Sequence, residues 1–124
     1  MLLYCFPAVS FADIYVCDST VFADLGFIDL LSKDADNQDQ YIIDTGAGTL
    51  RNTIRFSKRV ESPRTISMAC TENILNAVHC VDRYESKRIT INTSGNYHPF
   101  VYISSNVAVG SPTAEVSIGL CTVI

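Results

Sequence analysis

The sequence predicts an α+β domain: one main helix packed on a mostly antiparallel sheet. Three observations lead there. Val21, Leu25, Ile28 and Leu31 recur at helical spacing. Elsewhere the apolar residues come in short runs bounded by Gly, Pro, Asn, Asp and Ser, the pattern of strands joined by turns. No stretch of the 124 residues reads as an interdomain linker, so helix and strands belong to one layered unit.

The elements follow in order. Residues 1–12, MLLYCFPAVSFA, carry no charged side chain and end Ser10-Phe11-Ala12, with small residues at the two positions a signal peptidase reads. They predict a secretory leader cleaved after Ala12, short and without a basic start; the alternative is a buried N-terminal strand. The mature domain is then 13–124. Residues 13–17 are extended, and Asp18, Ser19 and Thr20 offer oxygens to cap a helix over 21–33. Asp24 in its first turn and Lys33 in its last suit the helix dipole. The run 34–40, DADNQDQ, is a polar loop.

Residues 41–43 and 50–56 are strands, joined through Asp44-Thr45-Gly46-Ala47-Gly48 as a hairpin. Ser62-Pro63 interrupts the chain, and 64–69 forms a further strand. Residues 71–80 fit either a short helix capped by Thr71 and carrying Ile74, Leu75 and Val78, or a continuation of the sheet; the helix is preferred. Ile89 and Ile91 alternate with Thr90 and Asn92 as a half-buried strand, and 93–96 turns. Residues 100–103 are a strand with Pro99 at its entrance, where proline is tolerated. Gly110-Ser111-Pro112 turns again, and 115–124 is the last strand.

With the leader removed, Cys5 is lost and Cys17, Cys70, Cys80 and Cys121 remain, an even set that reads as a disulfide framework in a small secreted chain. Cys17 and Cys121 lie near the two ends, which favours Cys17–Cys121 with Cys70–Cys80. Closing so long a loop is worth about 4–5 kcal/mol by the loop-entropy relation.

Charge and composition exclude several function classes. A net charge of −4 argues against strong nucleic-acid binding. No run reaches the roughly 18 uninterrupted apolar residues of a membrane span. The cysteines show no C-x2-C spacing and no paired histidines accompany them, so neither metal nor cofactor is expected. A monomer is expected.

Four constellations remain. Ile42-Ile43-Asp44-Thr45-Gly46-Ala47 resembles the catalytic loop of retropepsin-type aspartic proteases, where two such aspartates share a proton. The second signature of that family is missing, and Asp44 is read as a turn residue. The two histidines, His79 and His98, with a glutamate (Glu61, Glu72, Glu85 or Glu115) and Arg55 or Arg64, supply the residue types of a transesterifying ribonuclease. No spacing brings them together. Arg51, Arg55, Lys58, Arg59 and Arg64, with Phe56 interleaved, form the one dense basic strip. Within it Arg55, Lys58 and Arg59 are expected on the surface as a partner-binding patch, for protein or weakly for RNA. Asn92-Thr93-Ser94 is an N-glycosylation triplet.

Tyr15-Val16-Cys17 directly after the leader resembles the Y-x-C motif of secreted effector candidates of cereal powdery mildew fungi. Cys17-Asp18, a capped helix, the Tyr41-Ile42-Ile43 hairpin and Cys121-Thr122-Val123 follow in that family's order. Residues 100–115, FVYISSNVAVGSPTAE, also look like the strand–loop–strand of the guanyl-specific fungal ribonucleases. The resemblance implies a ribonuclease-like fold with a curved sheet and a Cys17–Cys121 bridge. It also implies a virulence or avirulence protein without catalytic residues, delivered into host plant cells. There it would bind a host protein or be detected by an immune receptor. An active secreted ribonuclease or ribotoxin is the alternative; Tyr97-His98-Pro99 is close in composition to that family's Tyr-x-His motif but sits late in the chain.

Overall fold

The computed structural model describes residues 13–26, 30–33, 39–55, 58–72, 76–106 and 113–124. Its elements are strands: β1 (Ile14–Gly26), β2 (Leu30–Lys33), β3 (Asp39–Asp44), β4 (Thr49–Arg55), β5 (Lys58–Arg59), β6 (Thr65–Glu72), β7 (Ala77–Asp82), β8 (Lys87–Asn92), β9 (His98–Asn106) and β10 (Thr113–Val123). Eight of them run round a closed antiparallel ring, β1-β3-β4-β6-β7-β8-β9-β10 and back to β1, while short β2 and β5 pair with β1 and β4. Each ring strand pairs with the next one in the chain, so this is an up-and-down barrel and not a helix on an open sheet. The ribonuclease-like α+β fold is therefore overturned.

The expected helix over 21–33 is strand wherever it is described, at 21–26 and 30–33. Long-range pairing overrides its helical spacing. From Tyr15 to Gly26, β1 pairs with β10, and Leu25 stands opposite Leu30 in β2. Val21, expected on the buried side of a helix, is 46 % exposed. The short helix over 71–80 is corrected in the same way. β6 runs on to Glu72 and β7 begins at Ala77, after Asn76 turns the chain with a φ of 59°. The remaining expected strands are present, as is the 44–49 hairpin. The leader lies outside the described residues, as do Phe56 and the Gly110-Ser111-Pro112 turn.

Closure rests on β1 and β10. Their register runs from Tyr15 opposite Val123 to Gly26 opposite Thr113, with a bulge at Thr20. Ile124 N–H adds a bond to the Ile14 carbonyl, 2.9 Å. The backbones approach closely at Gly119: a Cβ there would collide with the Asp18 carbonyl oxygen, so only glycine fits beside the bulge. Cys17 and Cys121 face each other in register across this seam and are bonded; Cys70 and Cys80 do the same between β6 and β7. Both expected disulfides are present.

Alternation sorts the barrel lining. Tyr15 and Cys17 of β1, Ile43 of β3, Leu50 of β4, Val78 and Cys80 of β7, Ile89 and Ile91 of β8 and Phe100 of β9 fill the interior from the base upward. The base holds Asp13, the 44–49 and 93–97 turns and the C-terminus. At the opposite end, the mouth, lie the 82–87 turn, the end of β9 and the start of β10.

The two bridges close loops of very different length, with sequence separations of 104 and 10. Replacing Cys17 and Cys121 together by Ser should lower the unfolding free energy by about 5 kcal/mol, and replacing Cys70 and Cys80 by about 3 kcal/mol. Urea denaturation of both double variants checks this; equal losses would contradict it.

Candidate binding site at the barrel mouth

The interior changes character toward the mouth. Asp39, Tyr41 and Ile43 alternate on one face of β3, and all three are buried, Asp39 completely. Ser19, Tyr102 and Ser117 are buried beside them. The Tyr41 hydroxyl donates to Asp39 Oδ2 at 3.0 Å and lies 3.1 Å from Ser117 Oγ. The Asp39 N–H donates to Ser19 Oγ at 2.7 Å. The Tyr41 and Tyr102 rings stack tilted, centroids 4.5 Å apart.

Arg55 completes the group. Leu50 and Asn52 face inward on β4, so simple alternation would turn Arg55 to the outside. A bulge at Thr53 shifts the register, placing Ile54 opposite Gln40 and Arg55 opposite Asp39. Thr53 Oγ1 donates to Gln40 Oε1 at 2.7 Å, and Gln40 Nε2 to Asp18 Oδ1 at 2.8 Å, which pins the bulge. One inserted residue thus re-aims a side chain inward. Arg55 Nη2 donates to both Glu115 oxygens at 3.0 Å, and Nη1 lies 3.5 Å from Asp39 Oδ2.

These surroundings set the charges. Burial opposes the Arg55 cation, but the Glu115 hydrogen bonds and the Glu115 and Asp39 charges outweigh it, and its pKa rises. Burial, and then Asp39, holds the Tyr41 phenol well above its ordinary value. Burial does the same for Tyr102, pushed up to about 12, with Glu115 and Asp39 adding and Ser104 and Arg55 opposing.

Glu115 also lines an open cleft of about 730 Å³ with Tyr84, Ser86, Lys87, Ser104 and Thr113. Its rim is shaped by Asp82, which accepts the backbone N–H groups of Ser86 and Lys87 and the Ser86 hydroxyl. Deeper in β4, Asn52 Oδ1 is buried without a hydrogen-bond partner.

The expected patch of Arg55, Lys58 and Arg59 is split. Lys58 and Arg59 are exposed on β5, while Arg55 is half-buried in ion pairs, with 36 % of its side chain exposed. It is not the free surface cation the sequence predicts, because the Thr53 bulge reverses its facing. Asp44 is a turn residue: its Oδ1 accepts the Ala47 N–H at 2.9 Å. His79 Nδ1 lies 3.1 Å from Thr90 Oγ1 on β8, and His98 Nδ1 lies 3.2 Å from the Asn92 carbonyl at the base. His98 and the Arg55–Glu115 pair therefore occupy opposite ends of the barrel.

Sequence reasoning missed Asp39, which it placed in the 34–40 loop, and with it Tyr41, Tyr102 and Ser117. The signal was present in Asp39-Gln40-Tyr41-Ile42-Ile43: an acid in phase with the buried face of a strand. Compared with known proteins, the chain matches no family model, no curated protein and no solved structure.

Arg55→Ala leaves the buried Asp39 without its cation. It should cost about 2–3 kcal/mol in urea denaturation, below the usual value for a fully buried pair because Arg55 is partly solvated. Lys58→Ala with Arg59→Ala should change stability by less than about 1 kcal/mol. A raised Tyr102 pKa favours the fold while the phenol stays neutral. That contribution is complete below pH 10, the unfolded value, and is lost as pH rises through about 12. Stability should therefore fall over this window, and less steeply in Tyr102→Phe.

Proposed function

We propose that this chain is a secreted binding protein that holds a small, neutral, hydroxyl-rich ligand at the barrel mouth without altering it. One observation carries the reading: Arg55, turned inward by a bulge, is clamped between Glu115 and the fully buried Asp39. Ion pairs drawn into a barrel are often less stabilising than apolar packing, and perturbed, partly buried charges cluster at functional sites. The adjoining cleft falls in the range of about 300–1,000 Å³ typical of ligand sites, and barrel mouths are a common place for them. Its walls mix Ser and Thr hydroxyls, a Lys ammonium and a Glu carboxylate, without the excess of cations a phosphate would favour. The unpartnered Asn52 carboxamide oxygen offers an acceptor deeper inside.

Binding without catalysis is supported by the separation of His98 from Arg55 and Glu115, since a base, an acid and a cation must converge on one scissile bond. The ribonuclease-like part of the effector reading falls with the fold. Secretion and a host-directed role belong to the proposal, with the exposed Lys58 and Arg59 as a separate surface for a protein partner.

The test is an amide-resolved NMR titration with chitotetraose and laminaritetraose. Saturable shifts centred on Ser86, Ser104 and Thr113 are expected. If neither saccharide moves those amides, the ligand reading fails. If the protein cleaves single-stranded RNA and His98→Ala abolishes cleavage, a ribonuclease replaces it.

A further inference from the structure

We propose that Asn92 is a site of N-linked glycosylation, presented to the modifying enzyme by a local turn at the base of the barrel. The inference rests on the secretory reading, because the reaction belongs to that route. Asn92 ends β8 and is exposed, as is Ser94. In Asn92-Thr93-Ser94 the Asn92 Oδ1 accepts two hydrogen bonds, from the Ser94 N–H at 2.9 Å and from the Ser94 hydroxyl at 2.7 Å. Both span two residues and so need no partner from elsewhere in the barrel, whereas the Thr93 N–H and hydroxyl donate to the Asn76 carbonyl only once β7 and β8 have paired. The Asn92–Ser94 turn is therefore available to a chain that has not yet closed. No other N-x-S/T triplet without proline in the middle occurs in the sequence.

The geometry suits the chemistry. A carboxamide nitrogen is a poor nucleophile because its lone pair is delocalised onto oxygen. Two donors on Oδ1 favour negative charge there, and hence the deprotonated imidate form whose nitrogen can attack. Nδ2 then bonds to the anomeric carbon of a polyprenyl-pyrophosphate-linked oligosaccharide. The bond from that carbon to the pyrophosphate oxygen breaks, the pyrophosphate leaves with the electron pair, and the Nδ2 proton passes to a base of the transferase.

The finished barrel also accommodates the product. One residue before it, Ile91 is fully buried opposite Phe100, so Asn92 falls on the outward phase of β8. The 93–97 turn beyond it is open: Gly95 takes a φ of 79° with nothing near where a Cβ would lie. The mouth cleft lies at the other end of the strands, so a glycan at the base leaves it clear.

The test is production of the full chain in a secretory yeast from two leaders, its own first residues and a strong heterologous one. Intact mass is read before and after peptide-N-glycosidase treatment, on secreted and cell-retained protein alike. With the heterologous leader, most of the protein should carry one N-glycan that the glycosidase removes. Asn92→Gln and Ser94→Ala should each lose it, and Ser94→Thr, which keeps the hydroxyl, should retain it. Unmodified Asn92 in protein carrying both disulfides would overturn the proposal. Glycosylation with the heterologous leader alone would leave the site standing and remove the secretory reading.

Discussion

The structure depends on the pairing of its first and last strands. A sheet of this chain's eight main strands would otherwise end in two rows of unpaired N–H and C=O groups, open to any other strand. The long register between β1 and β10 abolishes both edges at once. It demands an unusual conjunction at one point: a bulge at Thr20, a glycine at position 119 where no Cβ fits, and the buried Cys17–Cys121 bridge next to both. The two strands are also the farthest apart in sequence. Their association carries the largest loop entropy in the fold, which the covalent bond removes from the unfolded state.

Closure also dictates where polar groups can sit. The interior of a small barrel is narrow, and here its lower part is taken up by aromatic and branched side chains. Charge is tolerable only toward the mouth, where water or a ligand can reach it. There the two bulges matter more than any single residue type. They change which side chains face inward without lengthening the barrel, and the Thr53 bulge delivers Arg55 to Asp39 and Glu115. Among the described residues, the base carries turns and chain ends and no such cluster.

Most strands were legible in the sequence, because alternation and turn residues are local signals. Ile89 and Ile91 follow a period of two, Tyr41-Ile42-Ile43 and Phe100-Val101-Tyr102-Ile103 are short apolar runs beside turn residues, and the hairpin at Asp44 follows its turn chemistry. The near-terminal cysteines made one bridge legible as well. Two things were not. A bulge reverses the facing of every residue beyond it, so the strand phase set by the buried Cys17 and Ser19 does not carry past Thr20. Val21 is the instructive residue: it matches the helical pattern, yet it lies exposed on the outer wall. The same reversal hid the inward facing of Arg55. Asp39 was hidden by composition, because an aspartate at the end of a polar run looks solvated until a strand partner fixes its phase. The closure of the sheet is a long-range fact with no local mark beyond the cysteines.

The seam disulfide has a mechanical consequence. Its sulfurs join strands at both ends of the chain, and 104 positions separate the two cysteines. A force applied to the chain on the outer sides of Cys17 and Cys121 passes through the sulfur–sulfur bond. The backbone ladders of the eight-strand ring between them bear almost none of it. Pulled in this way, for instance while being threaded into a protease or a translocation pore, the oxidised protein therefore resists as a covalent object. Reduction of this one bond transfers the load to hydrogen bonds, beginning with the β1–β10 seam. Resistance to forced unfolding is in this way set by the redox state of the compartment rather than by the depth of the core.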